Sequence, residues 1–164
     1  MVKGICIALF YNCQKHDKGK ERELNLKTIK RECEDISLGI FFLMENYGFV
    51  DAKDPRFVKT VHAIERELCH EGLMFRYKNE DDFGLPSSSF TVCTFWFINS
   101  LNKIGERDKA MTMFDTLLSY SNHLGLFSED IDFSSKRLLG NFPQAYSHLA
   151  LIETALNFSD TAPD

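Results

Sequence analysis

The chain has no C-x-x-C pair, and its five cysteines (Cys6, Cys13, Cys33, Cys69 and Cys93) are odd in number. That excludes a fully paired disulfide framework and removes the usual short-range zinc signal, so a reducing compartment, the cytoplasm, is the expected setting. A long apolar run is also missing. The stretch from Val2 to Phe10 is too short to cross a bilayer, and Asn12-Cys13-Gln14-Lys15 makes a poor leader cleavage site; it reads as a core helix or a truncated element. Basic residues are in deficit, 19 Lys and Arg against 24 Asp and Glu for a net charge of -5. This argues against nucleic acid as the main partner and leaves neutral substrates and protein partners open. There is no Walker loop, no GxGxxG and no serine–histidine–acid signature. The acidic stretch Glu129-Asp130-Ile131-Asp132 is broken by Phe133-Ser134-Ser135 and does not have the alternating spacing of a calcium loop. No cofactor or metal is expected.

What is present is a globular composition, 44% hydrophobic and 26% charged over 164 residues, enough for one domain with a real core. Residues 14–32 carry a dense run of mixed charge, read as a solvated face or linker. Beyond it the apolar spacing is helical. Ile36, Ile40, Leu43 and Tyr47 form one stripe that stops at Gly48. Asp54-Pro55 is an N-cap followed by a first-turn proline, and Phe57, Val61, Ile64 and Leu68 form the next stripe, closed by Gly72. Leu73 to Tyr77 reads as a strand-like connection, and the acidic and Gly-Leu-Pro-Ser segments after it as loop. Phe90, Cys93, Phe97, Leu101 and Ile104, widened by Phe95 and Trp96, predict a central helix ending at Gly105. Ala110, Phe114 and Leu117 open the following one. Ala145, Leu149, Ile152 and Leu156 predict a last helix with Pro143 in its first turn and a frayed tail at 160–164. With no clear strand pairing, the expected class is all-α, built from antiparallel helix pairs.

Four groups of residues could bear chemistry. Glu129 falls in an inter-helix loop beside Asp130 and Asp132, where first-turn amides of the next helix are placed to hold a carboxylate ionised; a solvated acidic cap is the plainer reading of the residues alone. Arg76, next to Tyr77, offers a fixed fork of donors for sugar hydroxyls or a carboxylate, or else a surface pair with Glu80 or Asp81. His148 lies one turn into the last helix, where a packing role is the ordinary one. Phe95, Trp96 and Phe97 are consecutive on a helix and mostly core, though a sugar-stacking face is open to them.

Several blocks, in order, resemble glycoside hydrolase family 15, the family of glucoamylases and bacterial trehalases. They are Asp35-Ile36-Ser37-Leu38; Asp54-Pro55-Arg56 through Ala63-Ile64-Glu65; Gly72-Leu73 with Phe75-Arg76-Tyr77; Phe90 with Cys93-Thr94-Phe95-Trp96; Gly125-Leu126-Phe127-Ser128-Glu129; and Gly140-Asn141-Phe142-Pro143-Gln144-Ala145-Tyr146-Ser147-His148. The resemblance implies an (α/α)6 toroid, of which residues 34–159 would form about half. It implies inverting hydrolysis of an α-glucoside oligosaccharide or disaccharide, with Glu129 as general base and Arg76, Tyr77 and Phe90 as substrate-binding residues. Residues 1–33 show none of these blocks, and no general acid stands in residues 1–34. Pro86-Ser87-Ser88-Ser89 replaces a Gly-Glu-Gly of many relatives. The implied protein is a C-terminal part of the catalytic domain, inactive alone, that self-associates or needs a complementary N-terminal polypeptide.

A non-catalytic helical interaction module or sugar-binding module is the alternative. Leu101, Gly105, Ala110 and Phe114 imitate half of a tetratricopeptide repeat, but a step of about 34 residues from Gly105 finds no second set.

Overall fold

The computed structural model describes residues 41–80 and 84–160; the charged segment 14–32, the stripe residues Ile36 and Ile40, three of the cysteines and the tail at 161–164 lie outside them. Helices carry most of the described chain: α1 (Leu43–Asn46), α2 (Pro55–Leu68), α3 (Thr91–Ile104), α4 (Arg107–Leu118) and α5 (Ala145–Asp160).

The start of α2 follows from its sequence. Asp54, in extended backbone, accepts from the Arg56 N–H at 2.8 Å, and Pro55 supplies a preset φ at the first helical position. Phe57, Val61, Ile64 and Leu68 are all at most 3% exposed, as their spacing predicts. Each such side chain contributes about 1.5–3 kcal/mol by leaving water. The helix stops at Leu68 rather than at Gly72. The chain turns at once into a hairpin of β1 (Cys69–His70) and β2 (Leu73–Met74), whose two turn residues, Glu71 and Gly72, both have positive φ. That is the mirror-image turn which matches strand twist. Cys69 therefore sits past the helix in a strand, while Cys93 is buried on α3.

α3 is the centre, apolar nearly all round as expected, with Phe95, Phe97, Ile98 and Leu101 fully buried and Trp96 half-buried. It packs against α5 on one side and α4 on another, and touches α2 and β2. Gly105 ends it in the left-handed region (φ 99°), and only Gly105 and Glu106 separate it from α4, so the two form a tight helical hairpin. Buried amides knit α3 to its neighbours: Asn157 donates to Asn99 at 2.8 Å, and the Met74 N–H donates to Thr94 Oγ1 at 3.0 Å. Such groups are tolerated inside because they are paired.

The structure is mostly helical, in line with the expected helical class, but two details are corrected. Strand pairing is present: besides the β1–β2 hairpin there is an antiparallel three-stranded sheet, ordered β3 (Ser88–Phe90), β4 (Asp130–Asp132), β5 (Leu138–Leu139). Its strands are two or three residues long, and β3 meets β4 some forty positions away, which leaves no periodicity to read. Helix faces also differ from the expected stripes. In α5, Leu149, Ile152 and Leu156 are 63%, 56% and 58% exposed and Ala145 is exposed, while Ser147, Ala150, Thr154 and Phe158 face the core. Small and hydroxyl residues let α5 approach the bulky α3 closely, and Thr154 Oγ1 is bonded to the Ala150 carbonyl at 2.8 Å. At α1, Tyr47 is 54% exposed and Phe41, Phe42, Leu43 and Met44 are buried. Pro143 precedes α5 by two residues instead of lying in its first turn, and its peptide bond with Phe142 is cis.

Candidate active site

The β3–β4 pair builds the floor of a cleft. Alternation along the strands turns Ser89 and Ile131 into the core, each fully buried, and leaves Ser88, Phe90, Asp130 and Asp132 on the other face. The cleft, of about 450 Å³, is lined among others by Arg76, Tyr77, Phe90, Ser88, Glu129 and Asp130. Its size is within the usual small-molecule range of about 300–1,000 Å³. Arg76, Tyr77, Phe90 and Glu129, picked out in the sequence, thus share one wall system. The Arg76 guanidinium lies 5.2 Å from the Phe90 ring centroid and 5.7 Å from that of Tyr77. These two cation–π contacts hold the fork at the cleft wall.

Glu129 lies in the segment between helices α4 and α5, as expected, at a bend that immediately precedes strand β4. Its carboxylate is held, but not by helix amides. Oε2 accepts from Asn141 Nδ2 at 2.8 Å and from the Asn141 backbone N–H at 3.3 Å. The backbone of Glu129 is pinned on both sides: its N–H donates to the Asn141 carbonyl and its carbonyl accepts from the Thr91 N–H, each at 2.9 Å.

The residues before it are bound in the same way. Phe127 donates its N–H to His148 Nε2 at 3.2 Å and accepts from the Gln144 N–H at 3.0 Å. The Ser128 carbonyl accepts from the Ser147 hydroxyl at 2.8 Å. His148 Nδ1 meets the Gln144 carbonyl at 2.7 Å, so the Nδ1–H tautomer satisfies both partners. His148 is therefore a structural residue, and residues 141–148 clasp 127–129 with both backbone groups and the side chains of Asn141, Ser147 and His148.

The three carboxylates have different surroundings. Asp130 is pushed up from its ordinary value, first by burial and also by the charge of Glu129, against the Ser88 hydrogen bond and the Arg76 charge, which pull it down. Asp132 instead accepts from the Ser135 hydroxyl at 2.6 Å, the Ser135 N–H at 2.7 Å and the Ser134 hydroxyl at 2.9 Å, which lower it to about 2. It caps the turn between β4 and β5.

Phe95 and Phe97 are core residues away from the cleft surface. Asn141, Asp130 and Ser88 were not singled out in the sequence as site residues; the only signal for Asn141 was its place in the 140–148 block. Among the described residues there is no cluster of three or more His, Cys, Asp or Glu arranged to hold a metal, and no helix is long and apolar enough to cross a membrane.

The structure is mostly helical, and Arg76 and the held carboxylate of Glu129 line one small cleft. The chain matches Glycosyl hydrolases family 15 over residues 2–156 and belongs to that family. The match takes in the N-terminal segment that the sequence blocks do not reach. The chain is similar to a trehalase of Thermoplasma volcanium, with 43% identity over 109 residues, 66% of this chain and 18% of the relative. It is likewise similar to a trehalase of Mycolicibacterium smegmatis, with 44% identity over 112 residues, 66% of this chain and 17% of the relative. The matched part is thus less than a fifth of either relative's length. No solved structure matches the chain.

Proposed function

We propose that this chain is the general-base part of an inverting α-glycoside hydrolase of the trehalase or glucoamylase kind. One observation carries the reading: Glu129 and Arg76 line the same cleft, with the Glu129 carboxylate held by Asn141. In an inverting reaction an ionised carboxylate takes a proton from water as that water attacks the anomeric carbon. An acid on the other face protonates the leaving oxygen, with the two carboxyls about 6.5–9.5 Å apart. Glu129 is the base in this reading. Arg76 holds hydroxyls of the sugar beside the bond to be cut, and Tyr77 and Phe90 border it.

The acid comes from outside residues 1–34 and outside the matched blocks, in a complementary N-terminal part of the catalytic unit. Residues 34–159 are then about half of an (α/α)6 toroid, preceded by the segment 1–33 and followed by the tail at 160–164. The exposed apolar side chains of α5 (Tyr146, Leu149, Ile152 and Leu156) support an assembly that covers them. The similarity to trehalases makes an α-linked glucose disaccharide the first substrate to try, in the cytoplasm and without a cofactor.

Glucose release from trehalose and maltose, measured for the chain alone and with the rest of a family catalytic domain added in trans, tests this. The chain alone is inactive or nearly so, the mixture releases glucose, and Glu129→Gln in the mixture lowers the rate about a hundredfold or more. Unchanged turnover by Glu129→Gln refutes the role. A sugar-binding module without catalysis is the second reading, favoured by the Arg76–Phe90 seat; calorimetric binding of glucose or trehalose with no turnover in any mixture selects it.

A further inference from the structure

The geometry points to Asn141 as a positioning residue that makes one particular oxygen of Glu129, Oε1, the proton acceptor, with Gly140 providing the clearance that allows it. This inference rests on the reading of Glu129 as general base and adds a residue to it.

Both hydrogen bonds that Asn141 gives to the Glu129 side chain end on Oε2, one from the side-chain amide at 2.8 Å and one from the backbone N–H at 3.3 Å. Among the described residues no donor reaches Oε1. A carboxylate gripped at one oxygen by two donors on the same residue cannot rotate about its terminal bond without losing both, so the two oxygens stop being equivalent. Oε2 is occupied as an acceptor, and Oε1 keeps its lone pairs for a water proton. In the reaction, the water O–H bond breaks toward Oε1 while the water oxygen forms the new bond to the anomeric carbon and the glycosidic C–O bond opens.

The grip is close because of Gly140. Its φ is +74°, and a Cβ built there would lie 3.1 Å from Glu129 Cβ and 3.2 Å from Glu129 Oε2. A side chain there is strained by the left-handed backbone, and its Cβ crowds Glu129 so that the carboxylate must give by a few tenths of an ångström. The Asn141 carbonyl completes the arrangement by accepting from the Glu129 N–H at 2.9 Å, so one residue fixes both the main chain and the side chain of Glu129. A misplacement of about 1 Å at a reacting group costs on the order of a hundredfold in rate.

Two measurements decide the matter. In 1H–15N spectra of the full 164-residue chain, the side-chain amide pair of Asn141 is assigned by its absence from Asn141→Ala. It then shifts and exchanges faster with solvent in Glu129→Ala; an amide pair unmoved by that substitution overturns the grip. In the mixture that releases glucose, Asn141→Ala lowers kcat about a hundredfold with KM changed less than about threefold. Added azide, an anion that needs no deprotonation, restores turnover as the glucosyl azide in both Asn141→Ala and Glu129→Ala. A merely structural role for Asn141 gives no azide rescue and a parallel loss of thermal stability, and overturns the proposal. Full activity in Glu129→Ala sinks the general-base reading and this inference with it. Loss in Glu129→Ala with normal kcat in Asn141→Ala sinks this inference alone.

Discussion

Ser88 donates its hydroxyl to Asp130 Oδ2 at 2.6 Å, diagonally across the β3–β4 pair, where Ser88 itself stands opposite Asp132. The bond opposes the burial that pushes Asp130 up, and places a second carboxyl beside Glu129 and Arg76 at the cleft.

Because burial raises Asp130 above its ordinary 3.8, the folded chain binds that proton more tightly than the unfolded chain does. On this group's account, stability therefore falls as pH rises from 3.8 through the raised value. Asp130→Asn removes this slope while keeping an acceptor for Ser88. Urea unfolding across that pH range finds the variant gaining on the native chain as pH increases. Ser88→Ala, which deletes the opposing bond, extends the native slope to higher pH. Equal slopes in Asp130→Asn and the native chain contradict the burial argument.

Asp132 behaves in the opposite sense. Its three hydrogen bonds to Ser135 and Ser134 lower it to about 2, so its contribution is complete above 3.8 and is lost as pH falls through about 2. Asp132→Ala flattens the acid limb of the stability curve in that window and loosens the β4–β5 turn. Faster amide exchange at Ser135, whose N–H donates to Asp132 Oδ1, is the direct readout.

His148→Ala leaves the Phe127 N–H without its acceptor in a part-buried position. A buried donor left unmade costs about 1–3 kcal/mol. Denaturant unfolding measures the loss, and His148→Asn, able to offer an acceptor, recovers part of it. A full-stability His148→Ala that loses only turnover would instead put the imidazole in the chemistry.

The exposed face of α5 gives a prediction of the opposite kind. Leu149→Glu with Leu156→Glu alters association, not folding, because both side chains are more than half exposed. Size-exclusion chromatography on dilution shows less self-association, or weaker capture of the complementary polypeptide. Unfolding stability stays within about 0.5 kcal/mol of the native chain. A large loss of stability would mean that α5 is turned differently.

The helices were legible where packing follows apolar spacing. For α2, the Asp54-Pro55 start and the Phe57-Val61-Ile64-Leu68 face needed nothing beyond local chemistry, and the same holds for the apolar α3 and the Ala110-Phe114-Leu117 face of α4. For α5 the spacing signal pointed away from the core, because the buried face is made of Ser147, Ala150 and Thr154 and the large apolar residues lie outside. Glu129, Arg76, Tyr77 and Phe90 were found through ordered motif blocks, not through periodicity. Their meeting on one cleft depends on β3 pairing with β4, a long-range contact between segments too short to leave a pattern. Asn141 was legible only as one letter of the 140–148 block, for a related reason: its bonds are made to a residue 12 positions earlier, partly through its main chain.

The clasp takes hold of peptide groups of residues 127–129, with the Glu129 side chain adding only its own two bonds to Asn141. A substitution at position 129 can therefore silence the chemistry while the scaffold persists. In the proposed reading a single codon change at position 129 separates a catalytic chain from a folded non-catalytic one, and the two are told apart by that one side chain, not by their overall shape.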